Sequence, residues 1–205
     1  FHEVDRSEAK KYSAYKSLLK RDIIPFKNVF LEYFALKPLR SIRSANEDIL
    51  HTAFELLLPS KHHRSELCLV VDPKKERGDG RYGFIDIFLD GTNDKQPINV
   101  ILELKYISLT GLLSGAKGRW IKNPTYEELK SLDLKLKEES VDQLLKRKYM
   151  HWSEEKRHFV VVGIGDIINE GTMQVRKYFN VVLEGRANRY KPGISDDRSL
   201  VLAGL

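Results

Sequence analysis

Three charged residues stand where apolar strands would otherwise be buried. Asp86 interrupts GFIDIFLDG, and Glu103 and Lys105 interrupt INVILELKYI. A charge among β-branched and aromatic neighbours is costly unless it is paired, hydrogen-bonded or metal-bound. Strand side chains alternate between faces, so Val100, Leu102 and Leu104 share one face, and Ile101, Glu103 and Lys105 share the other. In the preceding strand Ile85, Ile87 and Leu89 oppose Phe84, Asp86 and Phe88. If both apolar triplets face one core, Asp86, Glu103 and Lys105 emerge together on the far side. Two neighbouring carboxylates repel unless a positive charge lies between them, and a hard divalent cation such as Mg²⁺ takes oxygen ligands of this kind. Such an ion polarises a phosphoryl oxygen and acidifies bound water, and a nearby ammonium can orient that water. The chemistry is phosphodiester hydrolysis. An acid and a lysine two apart in a strand also make ordinary surface ion pairs, and the upstream Asp86 is what favours a site.

The elements that must hold these residues follow from periodicity. SEAKKYSAYKSLLKRD and PFKNVFLEYFALKPLR read as two helices of an N-terminal lead-in over residues 1–40, with Pro25 opening the second and Pro38 closing it. SANEDILHTAFELLLPS is a helix whose Ser44 and Glu47 match a capping box. ELCLVVDP is a buried strand, and Gly78, Gly80 and Gly83 punctuate the basic loop after it. The strand around Asp86 ends at an Asp90-Gly91 turn, and the next, carrying Glu103, is its antiparallel neighbour. Residues 108–140 read as an insertion or lid that includes the charged helix TYEELKSLDLKLKEE. SVDQLLKRKYMHW is a helix, HFVVVGIGD a central strand and VRKYFNVVLEG a final strand. The order predicts an α/β domain over 41–205, a mixed central sheet flanked by helices.

GFID followed by ILELK resembles the core motif of the PD-(D/E)XK nuclease superfamily, in the branch whose domains often follow an AAA-like ATPase domain. The similarity runs from about Ser44 to Gly165 through GDGRYGFID, VILELKY, QLLKRKY and a strand ending in GIG. The resemblance implies a restriction-endonuclease-like core and intracellular DNA cleavage. Asp86 and Glu103 would be metal ligands joined by Glu47 of the first helix, Lys105 the catalytic lysine, and Mg²⁺ the cofactor, with Mn²⁺ substituting. Gln143 and Tyr149 resemble a glutamine-and-tyrosine helix motif, which puts Gln143 with the catalytic set and Tyr149 beside nucleic acid. Ile85 stands where the family name has proline, at a position that varies widely, and the 108–140 stretch is longer than the pattern expects.

The remaining features bound the partners. The chain has 35 Lys and Arg against 29 Asp and Glu, a formal excess of +6 that favours a polyanion. Lys74, Lys75, Arg77 and Arg81 cluster before the Asp86 strand, Lys146, Arg147 and Lys148 on the presumed glutamine helix, and Arg186, Arg189 and Lys191 near the C-terminus. A solvated face explains any one cluster equally well. Phosphate contacts are expected from Lys74, Lys75, Arg77, Arg81, Lys146 and Lys148, and DNA is favoured over RNA. Cys68 is the sole cysteine, which excludes an intrachain disulfide and a cysteine-based zinc site. The adjacent His62 and His63 point apart, while Trp120 and Tyr126 are candidates for stacking on bases. No apolar run is long enough to span a bilayer. No phosphate-binding loop is present, so an ATPase partner would lie outside a chain that begins at Phe1 and reads as a fragment. A docking or nucleic-acid-binding module with this fold but little cleavage is the alternative function. An unrelated α/β protein with an incidental ion patch is the third reading.

Overall fold

The computed structural model describes residues 2–35, 46–93, 96–112, 123–153 and 156–196. In chain order these form α1 (His2–Leu19), α2 (Ile24–Ala35), α3 (Glu47–Glu55), β1 (His63–Val70), β2 (Tyr82–Asn93) and β3 (Gln96–Leu102). There follow α4 (Leu109–Leu112), α5 (Tyr126–Glu138), α6 (Val141–Lys146), β4 (Lys148–Ser153), β5 (His158–Gly163), α7 (Ile164–Leu183) and β6 (Gly193–Ile194). The chain divides into two compact units, one of Phe1–Leu104 with Met173–Leu205, the other of Lys105–Thr172. Helix α7 contributes residues to both. Pro38 and Ser44 lie outside the described residues.

The first unit is built on an antiparallel sheet of order β3-β2-β1-β6. All its named strand pairs are antiparallel, so the expected mixed sheet is replaced by a meander closed by the short β6. Leu69 pairs with Ile194, and Ser195 N–H donates to the Cys68 carbonyl at 3.0 Å. Ile87, Leu89 and Leu104 are buried with Tyr15, Leu18, Leu19 and Phe26 of α1 and α2, the apolar face that alternation predicts. A second cluster joins Leu67, Leu69, Ile85 and Phe88 to Tyr178 and Val181 of α7 and to Ile194. Phe88 is therefore fully buried and not part of an open polar face, whereas Phe84 is 53% exposed.

Two positions expected otherwise have a clear packing reason. Asp90-Gly91 is no turn: β2 runs through to Asn93, and a Cβ on Gly91 would lie 2.5 Å from Leu19 Cδ1 and 2.6 Å from the Tyr15 hydroxyl. Glycine lets α1 approach the strand backbone there. The Tyr15 hydroxyl donates to the Asp90 carbonyl at 2.7 Å. Burial, and then the neighbouring Asp90 charge, pushes its pKa up to about 12. VRKYFNVVLEG belongs to α7 and not to a strand: Ile164, Gly171, Tyr178 and Val181 are buried at helical spacing.

The second unit packs Leu112, Leu132, Tyr149 and Ile164 together. Thr125 and Glu128 cap α5 reciprocally, and Ser140 and Gln143 do the same for α6. Only Val141–Lys146 of the expected glutamine helix is helical, and KYMHWS is the strand β4. Its partner β5, expected in a central sheet, completes a separate two-stranded sheet.

Candidate functional site

Asp86 sits in the middle of β2 with its side chain 21% exposed. Its Oδ2 accepts the Leu104 N–H at 2.6 Å, a bond to the segment just past β3. That bond has a register cause. The last β2–β3 pair is Ile87 with Leu102, so one further step sets Glu103 level with Asp86. The ladder stops at Leu102, and the Asp86 carboxylate replaces it in satisfying the Leu104 amide. Glu103 therefore follows β3 and does not lie inside it.

On the other side, β1 and β2 pair Ser65 with Ile87 and Leu67 with Ile85, which sets Glu66 level with Asp86. Glu66 has φ 50, a left-handed conformation that side chains larger than glycine rarely adopt. The exposed Glu66 departs from the ladder where the acids meet. By register Glu66 of β1, Asp86 of β2 and Glu103, just past β3, lie level with one another.

Helix α3 adds a second acidic edge. Its N-cap is Asn46, whose side chain accepts the Ile49 N–H at 3.1 Å and donates to Asp48 Oδ2 at 2.9 Å. Capping thus falls to Asn46, and Glu47 occupies the first turn, where the helix N-terminus favours a carboxylate. Residues four apart share a helical face, so Glu47 aligns with His51, and Asp48 with Thr52. These four side chains, with Glu66 and Asp86, line one cleft of about 350 Å³. His51 bridges the groups: its Nε2 lies 4.0 Å from Asp86 Oδ1 and its Nδ1 3.4 Å from Glu55 Oε1.

The expected site residues therefore fall into three sets. Asp86 and Glu47 share the cleft, and Glu103 adjoins the Leu104 amide that Asp86 binds. Lys105, Gln143, Lys146, Lys148 and Tyr149 belong to the second unit. There Gln143 Oε1 accepts the Ser140 N–H at 2.8 Å, so this side chain is engaged as a cap. Tyr149 is buried on β4, stacked on His151, not on a helix with Gln143. Arg147 pairs with Glu139 and holds its carboxyl below the usual range. Lys74, Lys75 and Arg77 are exposed on the 72–80 loop. Arg81 is committed inward, donating to the carbonyls of Pro73 and Lys75 at 3.0 and 3.1 Å. Trp120 lies outside the described residues.

Sequence reasoning missed Glu66, Asp48 and His51. The signals were present: Glu66 opens the apolar run LCLVV, and His51 lies one helical turn after Glu47. The cleft's donors are carboxylate oxygens with one imidazole, which suits a hard divalent cation by donor type. Among the described residues no three such side chains lie in a ligating arrangement. No protein-family model, curated protein or solved structure matches the chain. No described helix is long and apolar enough to cross a membrane.

Proposed function

We propose that this chain is a metal-dependent nuclease hydrolysing phosphodiester bonds, with DNA as the favoured substrate. The observation that carries this reading is the shared cleft, which Asp86 lines with Glu47, Asp48 and Glu66, while Glu103 lies level with Asp86 just past β3. In this reading, α3 with the β1–β2–β3 meander is the acid-bearing half of a restriction-endonuclease-like core. Asp86, Glu103 and Glu47 would hold Mg²⁺, or Mn²⁺ in its place. When bound, such an ion supplies Lewis-acid polarisation and a more acidic water.

The chain's own residues do the rest. The Leu104 amide fixes Asp86 through Oδ2, leaving Oδ1 directed to the cleft side shared with His51. A carboxylate clamped by a backbone donor is pre-oriented, which lowers the entropy lost when a ligand binds. Lys105, two residues after Glu103, would position the attacking water. Exposed Lys74, Lys75 and Arg77 would bind backbone phosphates, a contribution that weakens with salt.

The test is cleavage of plasmid, single-stranded DNA and RNA in Mg²⁺, in Mn²⁺ and in chelator, alongside Asp86→Asn and Lys105→Ala. Cation-dependent cleavage that both substitutions abolish is expected. A folded wild type that binds DNA and cuts in neither metal would support the docking module. Undiminished cleavage in both variants would place the chemistry elsewhere.

A further inference from the structure

Two strands of the second unit turn apolar side chains to solvent. In the β4–β5 hairpin, Trp152 pairs with Phe159, Met150 with Val161 and Lys148 with Gly163. Cross-strand partners share a face, so Lys148, Met150, Trp152, Phe159 and Val161 project from one side. Trp152, Phe159 and Val161 are 47%, 57% and 51% exposed. On the opposite side Tyr149 and Val162 join the unit's core, which holds the hairpin as a platform. Trp152 and Phe159 meet edge to face with centroids 5.3 Å apart, so each presents a fixed ring.

We infer that this face is a stacking platform for single-stranded nucleic acid. Two arguments select that occupant. The first is charge. Exposed Lys148 lies on the face at one end, and Lys156 and Arg157 are exposed just before β5, within reach of a bound phosphate. In the sequence of residues 146–158 five Lys and Arg, of which Arg147 is paired with Glu139, stand against two Glu. The second is size. Two six-residue strands give a face of roughly 20 by 10 Å, about 200 Å². That is far below the roughly 800 Å² each partner contributes to a stable protein interface. It matches the two or three bases that a sheet with exposed aromatics stacks. The choice of nucleic acid rests on the nuclease reading above, while the exposed face stands independently of it.

The test reads binding of short labelled oligothymidine, oligouridine and a duplex of equal length by anisotropy, in chelator so that nothing is cut. Both single strands should bind more tightly than the duplex. Trp152→Leu and Phe159→Leu should each weaken binding about tenfold, and Trp152→Tyr should restore most of it, because base stacking needs a ring and not merely an apolar group. Equal binding by wild type and Trp152→Leu would overturn the inference. So would a wild-type dimer that Trp152→Ala dissociates with oligonucleotide binding unchanged, which would assign the face to a second copy. A chain that binds through Trp152 yet never cuts would remove the nuclease reading and keep this one. Cleavage by a chain whose Trp152→Leu variant binds normally would do the opposite.

Discussion

The two units break the usual partition of polar and apolar residues in opposite directions. In the first, acids occupy a cleft on a sheet whose neighbouring residues Ile85, Ile87 and Phe88 are fully buried. In the second, Trp152 and Phe159 face solvent, while the charged and polar groups Arg147, Glu139 and Gln143 are spent on local bonds. A part-buried carboxylate among other acids, as at Asp86, and exposed aromatic surface both oppose folding energetics, so each is a place to look for a ligand. The first departure suits a cation and the second a flat apolar ring.

The largest expected effect separates activity from stability in the first unit. Asp86→Asn should abolish cleavage yet leave the melting temperature unchanged or raised. It keeps an acceptor for the Leu104 amide and removes one charge from a crowded acidic group. Asp86→Ala removes that acceptor as well and should cost about 1–3 kcal/mol. Thermal melts of the two variants side by side check this.

In the second unit, opposite faces of one hairpin should respond differently. Tyr149→Ala should cost about 3–5 kcal/mol because it empties a core site. Trp152→Ala, on the exposed face, should cost less, about 0.5–1.5 kcal/mol, the worth of its edge-to-face contact with Phe159. Urea titrations give both numbers, and equal losses would mean that the Trp152 face is packed in solution.

Smaller effects probe how the sheet is anchored. Gly91→Ala should cost about 1–3 kcal/mol, since the new methyl meets Leu19 and Tyr15. Tyr15 supplies a pH signature. Its folded pKa of about 12 exceeds the ordinary 10.0, so the fold favours the neutral phenol. That contribution is fully present below pH 10 and is lost as pH rises through about 12. Stability should fall over this window in the wild type and fall less in Tyr15→Phe, read by urea midpoints at stepped pH.

Much of the first unit was legible in the sequence because local patterns and tertiary packing agree there. Ile87 and Leu89 share one cluster with Leu104, and Val100 and Leu102 pack against it, as alternation predicts, whereas Ile85 joins Phe88 in the other cluster. The end of β3 was not legible, since INVILELKYI is uniformly strand-like and only the Asp86–Leu104 bond replaces the ladder there. The second unit was harder to read. KYMHWS follows directly on a capped helix and reads as its continuation, but its Tyr149 and Trp152 favour a strand and β5 offers it a partner. In α7 the β-branched residues suggested a strand, while burial at Tyr178 and Val181 against the sheet selected a helix. Glu66 and His51 were overlooked because no family motif pointed to them; the cleft is defined by folding.

The claim that the Asp86 cleft is a divalent-cation site is tested most directly by calorimetric titration of Mn²⁺ into the wild type, Asp86→Asn, Glu47→Gln and, as a control in the other unit, Glu139→Gln. The account predicts saturable binding to the wild type and to Glu139→Gln, weakened about tenfold or more in the two cleft variants. Binding that is absent from the wild type, or equally strong in Asp86→Asn, would contradict it.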